Sequence, residues 1–421
     1  MFDSIPQDVV DIIVSHLGTD KYALKQCSLT SHSCLATSRK HLFSNVSLYS
    51  TQKCQQLNDL LTDNPFLATY IRHIYLNGKQ KPFDPRRSHC WVSEPTLPTV
   101  LNRIAPHAQS LAMHYIYWEE LSSQLQYALL GILHTSSLVS IALVSVYRFP
   151  RNHLLHLSHL RCLSLLSLSN VTRRDPHAGT HTSLPKRQHL QALEFDQRAE
   201  SIKCVVELKH VWDMSRLREL CITGSCSGML DMASSLLVDA YQSLEIFVWH
   251  FQYPLRIVSK PNQPISQRLD ISNLLALRFL LLKSSLHEGL AELLPWLVQS
   301  LRAPSFRENL ERVVIVLNCE QGDWSSACIM RTLRSGIWSE IDNALVTSPK
   351  ARLRIVFRGV PVTIQYPDED LSAKNGRREA IARQMPLLSS AGILQVEVDN
   401  DCHGLDDLPW DGYKKMVRCF L

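Results

Sequence analysis

No run of eighteen apolar residues occurs in the chain, so the sequence offers no segment able to cross a bilayer as a helix. The longest candidates, "SLVSIALVSV" and "LLALRFLLL", have the length of strands. The opening "MFDSIPQD" is acidic, with no basic region and no small-residue cleavage site, so no secretory leader is expected. Cys419, in the closing "RCFL", stands one position away from a prenylation site. These features predict a chain without a membrane partner.

Concentrated charge is missing too. The 44 Lys and Arg are scattered against 39 Asp and Glu, for a net charge of +5, and no basic cluster exceeds a tripeptide. Nucleic-acid binding needs a focused basic face, so no nucleic-acid partner is expected. The twelve cysteines never form a CxxC and are spread through apolar segments. That pattern points to reduced, buried thiols in the cytoplasm, the nucleus or both.

Catalytic signatures are absent in the same way. There is no Walker sequence, no GxGxxG, and "LCITGSCSGM" contains no G-x-S-x-G. His153, His156 and His159 follow at three-residue steps, but no nearby Cys or carboxylate completes a zinc set. Cys402 and His403 lie among Asp399, Asp401, Asp406 and Asp407, without the spacing or glycine of a calcium loop. The reading is a non-enzyme with no catalytic residue, no metal and no cofactor.

What the chain does have is 45% apolar residues, enough for a large core, and a first helix that is too apolar. Placed at about 100° per residue, Ile5, Val9, Val10, Ile12, Ile13, Val14 and Leu17 cover roughly 200°. A helix docked on one core needs a stripe about half that wide. Ser4 and Gln7 have the spacing of a capping box, Pro6 suits a first turn, and Gly18 should end the helix. Asp20 should cap a second helix, "KYALKQCSL", and Thr30 or Ser31 a third, "HSCLATSRKHLF".

A short pattern recurs downstream: apolar, two others, apolar, one other, apolar. It appears from Ile71, Leu138, Leu160, Leu190, Leu217, Leu244, Leu277 and Leu310, with weaker copies from Leu111, Leu353 and Ile393. Helical segments such as "ELSSQLQYALLGILH", "GMLDMASSLLVDAY" and "LHEGLAELLPWLVQSL" lie between copies. Strand, helix, strand at this spacing forces parallel strands, because each helix must carry the chain back. Neither layer can bury its face alone, so the units should stack.

In "HLRCLSLLSLSN", "RLRELCITG" and "NLERVVIVLN" the chain resembles the leucine-rich repeat family. The family's asparagine appears only as Asn318. The resemblance implies an α/β fold: an irregular solenoid with parallel strands on a concave face and helices on the convex face, over residues 51–421. Insertions are expected near 77–98, 170–188, 252–268 and 366–379, each leaving just past a strand. In this frame the residues two, four and six past each first anchor face outward. These are His73, Tyr75 and Asn77, then Met113, Tyr115 and Tyr117. Tyr75, Tyr115 and Tyr117 form the candidate substrate-binding group, since tyrosine is enriched in binding hot spots. Of the basic residues, this frame places only Lys283 and Arg312 on that face.

Residues 1–50 resemble an F-box. "IPQDVVDIIVSHL" matches the family's opening motif, and "SRKHLFSNVSLYS" its closing stretch in fungal members, with Cys34 where the family usually has tryptophan. The resemblance implies a substrate-recognition subunit of a Skp–cullin–F-box ubiquitin ligase. Its partners would be a Skp-type adaptor, a cullin through that adaptor, and an unknown protein substrate. The motif positions that meet the adaptor fall on Ile5, Pro6, Val9, Val10, Ile13, Leu17, Leu24 and Leu29. The alternative is a leucine-rich scaffold whose vestigial F-box acts outside a ligase.

Overall fold

The computed structural model describes residues 5–18, 20–78, 91–155, 157, 159–169, 189–251, 269–285, 289–318, 336–348, 350–358, 379 and 381–399. They fall into two compact units that divide between Gln188 and His189.

The first unit opens with three helices, α1 (Gln7–His16), α2 (Lys21–Thr30) and α3 (His32–Phe43). Gly18 ends α1 at φ +57°, a conformation glycine adopts without a Cβ penalty. The Asp20 carboxylate accepts from the Tyr22 and Ala23 amides to start α2, and Ser31 accepts from the Ser33 amide to start α3. Pro6 precedes α1 with no side-chain cap, and the expected Ser4 cap lies outside the described residues. Val10, Val14, Leu24 and Cys34 form the core of this small module, with Ile5, Leu17, Cys27 and Leu42 packed around it.

The chain then leaves α3 as a strand, β1 (Asn45–Leu48), followed by helix α4 (Thr51–Asp63). Strands β2 (His73–Asn77), β3 (Ser110–His114), β4 (Ser140–Val144) and β5 (Cys162–Leu166) alternate with helices α5 (Leu97–Ile104), α6 (Ser123–Leu133) and the short α7 (Asn152–Leu155). Each strand from β1 to β5 pairs in parallel with its sequence neighbour. Parallel pairing requires a crossover, and α4, α5 and α6 lie side by side to provide it. Ile74, Leu111, Ile141 and Leu163 share one row, with Leu76, Met113, Leu143 and Leu165 in the next, all fully buried. The end of the expected 77–98 insertion belongs to the core. Trp91 is buried there, and its indole N–H donates to the Asn77 carbonyl at 2.8 Å.

The second unit repeats the scheme with strands β6 (Ala192–Asp196), β7 (Glu219–Thr223), β8 (Ile246–Phe251), β9 (Phe279–Ser285), β10 (Arg312–Asn318), β11 (Arg352–Arg358) and β12 (Leu394–Asp399). They too are parallel and in sequence order. Helices α8 (Ala199–Val211) and α9 (Ser227–Asp239) pack together, as do α10 (Gly289–Leu301), α12 (Ile337–Val346) and α13 (Pro386–Ser390); α11 (Pro304–Asn309) packs on α10. Gly224 has φ +125°, and a Cβ there would stand 2.5 Å from the Gln197 side chain. Only glycine fits that approach.

All eleven repeat copies coincide with strands β2 to β12, but three frames are displaced. Ile74 pairs with Leu111, so Leu111 holds the second anchor position and the small Ala108 the first. Met113 is therefore an inward residue, fully buried, and not part of an outward set. Leu353 and Leu394 likewise stand level with Val313, as second anchors. The expected insertions at 170–188 and 252–268, and all of 366–379 except Glu379, lie outside the described residues.

Candidate functional site

Helix α1 meets its module along two lines. One is polar and runs beside α3, with Gln7 and Ser15 still exposed. The Gln7 amide donates to the Ser33 carbonyl at 2.9 Å, Thr37 donates to Asp11, and Ser15 bonds His41 at 3.1 Å, all on α3. Hydrogen bonds from Thr37 and Gln7 hold the Asp11 carboxyl below its ordinary range. That contribution is present above the usual carboxylate pKa and is lost as pH falls through the lowered one. Val10 and Val14 fill the core beneath. The opposite flank carries Val9, Ile12 and Ile13, which are 39%, 57% and 49% exposed.

The expected adaptor-binding residues therefore separate into two sets. Val10 and Leu24 are buried at 1% and 0%, so they hold the module together and offer no free surface. Ile5 and Leu17 are half-buried on the same core. Pro6, Val9 and Ile13 are exposed on α1 or beside it, and Leu29, at 80%, is exposed on α2. Ile12 belongs with the exposed set, though motif matching passed it over; helical geometry alone places it between Val9 and the open side. Cys34 sits in the core at 4% exposure, so a thiol fills this interior position.

The tyrosines form a different group from the one expected. Tyr75 lies on β2, half-buried, with its ring edge-on to His114 at 4.8 Å. Tyr115 is past the end of β3, in a left-handed conformation at φ 53°. Ser145 and Ser167, level with it after β4 and β5, have the same φ. The Tyr115 amide still donates to the Val144 carbonyl at 3.0 Å, and Ser145 to Leu166 at 2.8 Å. Each kink returns the following residue, Ile116, Val146 or Leu168, to the core. Tyr117, 49% exposed, then stacks flat on Tyr147 at 4.4 Å and 7°. Tyr75 thus sits midway along β2, level with Ala112, while Tyr115 and Tyr117 lie past the end of β3, so the three are not one outward row.

Burial lowers the His114 pKa from 6.5 to about 4. An unfolded chain takes up a proton at this site as pH falls through 6.5, while the fold resists it until about 4. Stability should therefore fall with pH across that window and level off below it. Replacing His114 with Gln is expected to flatten the slope of melting temperature against pH there, measured by differential scanning calorimetry. A slope unchanged in the variant would assign the effect to other groups.

In the second unit, burial pushes the Cys221 thiol well above its usual range, with Glu194 adding to the shift. A thiol in that state supplies no thiolate nucleophile at neutral pH. Among the described residues, no three His, Cys, Asp or Glu side chains gather as a metal site requires, and no helix is long and apolar enough to cross a membrane. No protein-family model matches the chain, and no curated protein matches it.

Proposed function

We propose that this protein is the substrate-recognition subunit of a Skp–cullin–F-box ubiquitin ligase. The three-helix module at the amino terminus is an F-box that docks a Skp-type adaptor. The strands that follow are an irregular leucine-rich solenoid that binds a protein substrate. The observation that carries this reading is the second apolar flank of helix α1. Val10 and Val14 fill its own module, Gln7, Asp11 and Ser15 hydrogen-bond α3, and Val9, Ile12 and Ile13 still face water. A module of three short helices has little core of its own, and an exposed apolar flank on it marks a surface meant for a second protein.

Affinity purification of the full chain, with mass spectrometry, tests the assembly. The expected co-purifying proteins are a Skp-type adaptor and a cullin. Absence of a cullin, with or without the adaptor, overturns the ligase reading and favours the scaffold alternative.

A further inference from the structure

The strands of the second unit end on β12, and its far edge is open. The Leu353 amide on β11 donates to the Ile393 carbonyl. Parallel pairing alternates along a strand. The N–H and C=O of Gln395 and Glu397 therefore point toward β11, and those of Leu394, Val396 and Val398 point away. Among the described residues no strand lies beyond β12 to receive them. The six residues of β12 run level with β11 without a bulge. They include neither proline nor lysine, the usual guards of an exposed edge.

Side chains at this end are uncovered too. Leu353 and Ile355 are buried at 1% and 0%, whereas Leu394 and Val396, level with them on β12, are only half-buried. Leu387, on the helix α13 that precedes β12, is 40% exposed. The repeat core is thus partly open where the strands stop, and stacked repeats need a cover there. On the other face, Gln395 is exposed beside the half-buried Glu397, whose carboxylate accepts from Arg354 and from Gln395.

We propose that β12 pairs with β12 of a second copy of this chain, antiparallel about a two-fold axis at Val396. The strand is complementary to itself in this register. Val396 meets the partner's Val396, and Leu394 meets the partner's Val398, so every outward N–H and C=O finds a partner. Gln395 falls opposite the partner's Glu397 in the closely spaced, non-hydrogen-bonded positions. There its second amide proton donates to that carboxylate. Centring the pair on Glu397 would set two carboxylates face to face, and centring it on Gln395 would leave Val398 outside. A segment of another protein would gain the same backbone bonds, but the match of Gln395 to Glu397 is a property of this strand itself.

Neither an adaptor nor a substrate takes part in this contact, so it stands or falls apart from the docking of α1. Sedimentation equilibrium of the full chain, from about 1 µM to about 100 µM, measures the association. The expected species at the upper end has twice the 48.0 kDa mass of the chain. Gln395→Glu sets like charges opposite each other twice by symmetry and should weaken the dimer about fivefold or more. Gln395→Lys, opposite the partner's Glu397, should associate at least as tightly as the parent. Gln395 is exposed and level with Arg354, so the glutamate should leave the fold intact, and an unchanged melting temperature checks this. Val396→Pro removes an outward N–H and none that serves β11, and it should leave a monomer. A 48.0 kDa species at every concentration overturns the inference. So does a dimer of equal affinity in the two Gln395 variants, or one that survives Val396→Pro. In a monomer, Leu394 and Val396 amides protected from hydrogen exchange would assign the edge to the chain's own carboxyl-terminal residues instead.

Discussion

Replacing Val9 and Ile13 together with aspartate is expected to weaken adaptor binding at least about 100-fold and leave the protein folded, since the few hot-spot residues at the centre of an interface cost about 2 kcal/mol or more each when removed. Both side chains are largely exposed, so neither substitution opens a cavity. The remaining cost is helix propensity, about 1 kcal/mol or less for the pair. A charge brought into an interface must be desolvated without a partner, and that falls wholly on the complex. Isothermal titration with purified adaptor gives the affinity, and circular dichroism gives the fold. The decisive contrast is Val10→Ala or Leu24→Ala, which should unfold the small module before it affects docking, because both residues are its core. A folded double aspartate variant with unchanged affinity would remove α1 as the docking helix.

The largest expected loss of stability is at Trp249→Ala. Trp249 is fully buried, its ring lies edge-on to Trp296 at 5.2 Å and 87°, and its indole N–H donates to the Gly224 carbonyl at 2.8 Å. Truncating a buried tryptophan to alanine costs about 3–5 kcal/mol, and the orphaned carbonyl adds about 1–3 kcal/mol where water cannot reach it. Thermal melts followed by tryptophan fluorescence should show the second unit losing its transition first. A melting temperature within about 2 °C of the parent would contradict the packing described, because a loss of several kcal/mol shifts melting by many degrees.

Parallel strands separated by helices were legible from the spacing of apolar anchors, because burial on the inner face allows only large apolar side chains there. Frames failed where an anchor was small or missing. Ala108 is fully buried but does not read as an anchor beside leucines, so the pattern seemed to begin at Leu111, and Met113, Tyr115 and Tyr117 were displaced with it. At β11 the first position is the exposed Lys350, and the pattern seemed to begin at Leu353. That slip put Arg352 and Arg354 on the wrong face of the sheet. In the amino-terminal module, the width of the apolar arc was legible and its division was not. Which half of the arc is buried depends on the polar pairs between α1 and α3, whose partners lie 26 residues apart.

Among the described residues of each unit, every strand is hydrogen-bonded only to the strands immediately before and after it in the chain. Pairing therefore links neighbouring repeats, and it can advance in the order of synthesis without waiting for a distant partner. The same linear order makes the connections tolerant of growth. Doubling the length of a connecting loop costs only about 0.6 kcal/mol of closure entropy and displaces no strand from its neighbours. New segments can thus be added between strands over evolutionary time with the ladder left intact.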